Sequence, residues 1–445
     1  MKYPRRTAFL VLLSALGALL VFSAVVIPVQ AQDLTPPSPT PFPSGASAEW
    51  PTVIPLIVSQ PTPVGYGPEE FPPNINQLTG LQAEDPNLLE RRPMVVKITN
   101  YPRTVRPQYG LSRADIVYEY YMERGISRFI AIFYGQQAEK VGPVRSGRFF
   151  DEHIFKMYDG FFVFGVADKR VMEYFLQLGD HWVKSLVVED AESKTLDCNN
   201  GEPHFLCRDS SIISYNNMFT NTTALYEYVT RRNGNYRPDL HGMRFENRTP
   251  PGGEEAFNIF IRYSLFIYNK WAYLPQYGTY GRFQETIGYS TPDKESFAPH
   301  IDAINEEQIT ADNVVVLVVP HYYFVKTATT EIITIPLIDE GPAFFFRNGR
   351  SYEGRWERKQ EVGVLQLFTQ DGEPFPLKPG STWFEVVSTD TSLARDYEDW
   401  RFYFNPPAVP EDLSSNPINE AGVDAPNGWF WDQIPQLWEM VGDIR

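Results

Sequence analysis

Cysteine, histidine and cationic charge are all scarce in this 445-residue chain. Cys198 and Cys207 are the only cysteines, nine positions apart across a short loop. In an exported chain that spacing predicts a disulfide, stabilising by roughly 2 to 3 kcal/mol on the chain-entropy account. A metal centre built from both thiolates and His204 has no fourth ligand at a recognisable spacing. The six histidines, His153, His181, His204, His241, His300 and His321, are scattered without ligand spacing, so no metal is expected. H-E-x-x-H, a P-loop and G-x-G-x-x-G are all missing, and no cofactor is expected. Ser146 lies in V-R-S-G-R, which lacks the first glycine of a nucleophile elbow. Lys and Arg number 39 against 55 Asp and Glu, a net charge of -16 that excludes a nucleic-acid backbone as partner.

What is abundant is aromatic: Phe, Trp and Tyr make up 15% of the residues, which with charged residues at 21% excludes global disorder and suits β-rich cores. The N-terminus carries Lys2, Arg5 and Arg6, an apolar run from Ala8 to Val29 and a small-residue cleavage pattern at Val29-Gln30-Ala31. Residues 1–31 therefore read as a signal peptide or, uncleaved, as a membrane anchor. Both readings put the rest of the chain outside the cytoplasm, secreted or held on the outer face of the membrane. Twelve of the 38 prolines fall between Pro36 and Pro73, so 32–87 reads as an extended linker with order starting near Arg91.

The fold expected beyond it is α+β, with a mixed α/β domain over 88–245 and an all-β domain over 250–390. An irregular, aromatic-rich tail over 391–445 completes the chain. Met94 to Thr99, Asp115 to Glu123, Phe129 to Tyr134 and Phe161 to Val166 read as strands. Helices are expected near 149–157, 169–178 and 223–231. After Pro250-Pro251-Gly252-Gly253 helical periodicity fades, and short strands alternate with turn signals such as Asn348-Gly349 and Asp371-Gly372.

Alternation along 115–123 puts Asp115, Val117, Glu119, Tyr121 and Glu123 on one face. Four strand residues span about 13 Å, too far for the paired carboxylates of a glycosidase, at about 5 to 9.5 Å. A hydrolase would thus need Glu119 with a second carboxylate from elsewhere. Arg106, Arg128, Arg145, Arg148 and Arg208 all fall at element boundaries, and a guanidinium fork suits carboxylate or phosphate. They form either a clamp for an anionic ligand or a structural network with Asp115, Glu119 and Glu123.

Several motifs resemble the YerB-like bacterial lipoproteins, a two-domain family of unknown function. They are RRPMVVKITN at 91–100, RPQYGLSRADIVYE at 106–119, RGISRFIAIF at 124–133 and GPVRSGR at 142–148. CRD at 207–209, NMFT at 217–220, NGRSYEGRW at 348–356 and PLKPGSTWFEVV at 376–387 extend the likeness. The resemblance implies a cell-envelope location and adds Asn217 to the candidate ligand-binding set of Arg106, Glu119, Arg128, Arg145, Arg148 and Arg208. Two departures stand out: no cysteine offers a lipid attachment point, and Asn216 stands where the family usually has histidine. The expected function is envelope binding of an anionic cell-wall fragment or small molecule, with membrane contact only through the N-terminal anchor. The alternatives are the Glu119 hydrolase and a structural scaffold.

Overall fold

Met94–Thr99 is buried at every position, the pattern of a strand covered on both faces. A computed structural model describes residues 65–409 apart from 191–192, 289–293 and 328. The expected signal or anchor, the first part of the linker and Trp429-Phe430-Trp431 lie outside the described residues. Among the described residues no helix is long and apolar enough to cross a membrane.

Folding starts earlier than the prolines suggest. Strand β1 (Gly65–Tyr66) pairs with Arg244–Glu246, and Ile75 and Leu78 are buried. The linker expected through residue 87 is therefore folded from 65 onward. Its Asn76 donates a 2.7 Å hydrogen bond to Asp115, tying this segment to the core.

The first half contributes β2 (Met94–Thr99), β3 (Ile116–Glu123), β4 (Ile126–Phe133), β5 (Phe161–Phe164) and β6 (Leu186–Val188). Its α-helices are α1 (Phe149–Met157), α2 (Lys169–Phe175), α3 (Asp180–Lys184) and α4 (Thr222–Arg231). Each long helix starts where the sequence supplies a cap. Asp151 accepts from the Arg148 N–H at 2.7 Å at the head of α1, and Asn221 accepts from Ala224 at 3.0 Å at the head of α4.

The two halves share one sheet. Among the described residues it has 11 strands, ten of them running from Glu254–Glu255 through Arg350–Arg358, Asp339–Arg347, Asn313–Val319 and Thr382–Ser388 to β3, β4, β2, β5 and β6, with Gln366–Thr369 paired to Arg350–Arg358 off that path. At the seam Thr382–Ser388 runs parallel to β3, with Glu385 opposite Glu119. The segments expected as separate domains thus complete each other's hydrogen bonding. One face of this sheet is covered by α1, through Tyr120 on Phe150 and Tyr118 hydrogen-bonded to Tyr158. The other is covered by a second sheet, of seven strands among the described residues, from the second half, through Trp271 on Trp383. That second sheet includes Ser392–Asp396 and Asp399–Tyr403, so the tail expected to be irregular opens with two strands.

Cys198 and Cys207 form the expected disulfide, with Cα atoms 5.1 Å apart. In the loop after β4, Gly142 sits at φ +148°, where a Cβ would meet Phe219 at 2.8 Å and the Met218 carbonyl at 3.0 Å. This close approach lays residues 141–146 against Met218–Thr220, through Val144 N–H to Met218 O at 2.7 Å and Val141 N–H to Thr220 O at 2.8 Å.

Candidate functional site

A β-bulge in β3 decides where its carboxylates go. Register shifts between Tyr121 and Glu123, so Glu119 pairs opposite Phe129 while Glu123 pairs opposite Ile126. The extra residue flips Glu123 onto the face shared by Tyr120 and Arg128. The expectation of three carboxylates on one face is therefore corrected. Asp115 lies outside the strand, where its carboxylate accepts from Asn76 and from the Tyr134 and Gly135 N–H groups. Burial pushes its pKa up to about 6.

Glu119 is wholly buried between the two sheets and belongs to the core. Its Oε1 accepts from Ser127 at 2.6 Å and Asn100 at 3.1 Å, and its Oε2 from Arg282 at 2.5 Å and Asn269 at 3.1 Å. A carboxylate with both oxygens saturated and no solvent exposure meets no ligand. Beside it, Glu385 accepts from Trp271 at 2.9 Å, and the Tyr263 hydroxyl lies 2.9 Å from both Glu385 and the Glu119 carbonyl. Burial first, and the neighbouring Glu119 charge second, raise Glu385 to about 8.

Because that value lies above the ordinary 4.5 for glutamate, folding favours the protonated Glu385. This contribution to stability is complete below about pH 4.5 and is lost as pH rises through about 8. Denaturant unfolding is expected to show stability declining across that window, and Glu385→Gln should flatten the decline. A slope unchanged in Glu385→Gln would assign the dependence to other groups, such as Asp115.

Arginines dominate the opposite, α1-covered face. Residues 143–147 cross the carboxyl end of the parallel group β2, β5 and β6. The Arg145 N–H donates to Lys97 O, and Gly165, immediately after β5, donates to Arg145 O, both at 2.9 Å. Carboxyl ends of parallel strands are where open α/β sheets place ligands. Arg148 forms a bidentate pair with Glu123, at 2.7 and 3.1 Å. Lys97, fully buried, holds Asp151 at 2.7 Å and the Tyr120 hydroxyl; burial lowers its pKa to about 7, with Arg128 and Arg148 adding to the effect.

Arg128 and Arg145 have no carboxylate within ion-pair distance among the described residues. Arg128 is only 5% exposed, and it donates to the neutral Ser146 carbonyl at 2.7 Å. Burial, then Arg148 and Arg145, lower it to about 9. Arg145 stacks over Tyr215 at 4.8 Å, and its Nε is buried without a hydrogen-bond partner. Its pKa is lowered by burial, and Arg148 and Arg208 push it the same way.

The remaining expected residues lie elsewhere or are committed. Arg106 is nearly buried, bonded at 2.8 Å to both Glu285 and Asn100, on the side of the Glu119 network. Arg208 grips Glu189, the residue after β6, at 2.6 and 2.9 Å, and reaches Asn217 at 2.8 Å. Arg106 and Glu119 are thereby separated from the arginine site. The structure brings together Arg128, Arg145 and Arg148, with Arg208 and Asn217 beside them. Lys97 was not among the expected residues; its one sequence signal was a lysine alone in an otherwise apolar strand, MVVKIT.

Fold and site together define a strand-rich protein of two sequence modules joined by a continuous sheet, with a cationic face at the ends of its parallel strands. The family described as protein of unknown function (DUF3048) N-terminal domain matches residues 78–236, and its C-terminal domain matches residues 259–384. This chain belongs to that YerB-like family. It is 28% identical over 323 residues to the putative lipoprotein YerB of Bacillus subtilis (strain 168), covering 70% of this chain and 85% of the relative. The crystal structure of YerB protein from Bacillus subtilis has the same fold, with a TM-score of 0.54 at 23% identity over 70% of this chain and 96% of that one.

Proposed function

We propose that this protein works outside the cytoplasm, in the cell envelope, and binds a small anionic ligand between Arg128 and Arg145 at the carboxyl end of β2, β5 and β6. One observation carries the reading: Arg128 is buried beside two other arginines and, among the described residues, has no carboxylate within ion-pair distance. An uncompensated buried charge costs several kcal/mol, so an arrangement that serves only stability is expected to pair it or replace it. The relative's description as a putative lipoprotein and the charged-then-apolar N-terminus support the location. Glu119 has no part in this reading, being saturated and buried on the opposite face.

Thermal unfolding with a panel of phosphates, carboxylates and acidic wall fragments tests the proposal. At least one anion is expected to raise the melting temperature by several degrees, and Arg145→Ala should remove most of that shift while leaving the ligand-free melting temperature close to the parent's. Equal shifts in the parent and in Arg145→Ala would refute this site.

A further inference from the structure

The charges around Arg128 and Arg145 also bear on what kind of anion fits. Four cations, Lys97, Arg128, Arg145 and Arg148, share this corner, and two carboxylates face them, Asp151 and Glu123. Lys97 with Asp151, and Arg148 with Glu123, are pairs within 2.7 Å. Arg208 is likewise matched by Glu189, and Arg170 by Asp168. Among the described residues Arg128 and Arg145 remain without an ion-paired carboxylate, and both are guanidinium groups.

At the head of α1 the Arg148 N–H is taken by the Asp151 carboxylate and the Asp151 N–H by the Arg148 carbonyl. Two guanidinium forks suit a group presenting several equivalent oxygens. Tyr215 is 68% exposed beside Arg145, which leaves an aromatic edge for whatever the anionic group is attached to.

We infer that the ligand of this site carries a phosphate monoester, a tetrahedral group with two negative charges, received by Arg128 and Arg145. The inference rests on the anion-binding reading above and narrows it. A monoanion such as a carboxylate or a phosphodiester leaves one of the two guanidinium groups uncompensated. A dianion neutralises both.

Methyl phosphate and dimethyl phosphate isolate the second charge, since they share the phosphoryl group and differ by one methyl. At pH 7 the monoester is mostly dianionic, its second pKa being about 6. Titration calorimetry of the full chain at low ionic strength is expected to give at least a tenfold tighter Kd for methyl phosphate than for dimethyl phosphate or acetate. The same titration on Arg145→Ala, with its fold checked by circular dichroism, should show that preference largely gone. Dimethyl phosphate or acetate binding as tightly as methyl phosphate overturns the dianion inference and leaves the anion site standing. Absence of binding by all three overturns the site itself.

Discussion

Arg282→Met is expected to destabilise the protein by about 3 to 5 kcal/mol. Arg282 is 1% exposed in its side chain and its partner Glu119 is fully buried, so the substitution leaves a carboxylate in the core with its cation gone. Asn100, Ser127 and Asn269 still donate to Glu119, but neutral donors do not balance a buried charge next to Glu385. The cost should appear in denaturant unfolding as a lower midpoint with little change in slope. Adding Glu119→Gln to the same chain removes the orphaned charge and should return a substantial part of the loss. A loss below about 1 kcal/mol, or no return in the double variant, would mean that the pair contributes little to holding the two sheets together.

Arg128→Met should act in the opposite direction. Here the cation has no carboxylate within ion-pair distance among the described residues, and methionine can fill the space under α1 with an apolar chain. The ligand-free protein is expected to gain about 1 to 3 kcal/mol, while anion-dependent stabilisation disappears. A residue that weakens the fold yet is needed for binding is the signature of a site. If Arg128→Met instead destabilised the protein and left anion binding intact, Arg128 would be a structural residue held by the Ser146 carbonyl.

The contrast between these arginines shows what a sequence conveys. Local pattern was readable: MVVKIT, the apolar run before Gly142-Pro143 and the helix from Phe149 emerge at or near the residues expected, because burial imposes period and composition. The loop bearing Arg145 and Arg148 was also visible as a candidate site. The pairing of each charge was not. Glu123 changes face because of one extra residue in β3, and a single-residue bulge leaves no trace in apolar alternation.

Long-range partners were hidden for a different reason. Arg282 and Glu285, which neutralise Glu119 and Arg106, lie on the strand Thr279–Glu285, whose sequence TYGRFQE has too many polar residues to read as a buried strand. It is buried because its charges are matched from the other half of the chain, 163 residues away in the case of Arg282 and Glu119. The sharing of one sheet by both halves rests on the parallel pairing of Thr382–Ser388 with β3, and either strand alone reads simply as apolar. Likewise, prolines marked residues 32–87 as a spacer, while the burial of Ile75 and Leu78 depends on surfaces supplied much later in the chain.

Crystals soaked in tungstate, a tetrahedral dianion with a strong anomalous signal, test the anion site most directly. An anomalous peak is expected within hydrogen-bond reach of both Arg128 and Arg145, at the carboxyl end of β2 and β5, and should be lost in Arg145→Ala crystals. A map with no peak there, or with tungstate bound only at other surfaces while Arg128 and Arg145 stay as they are, would contradict it.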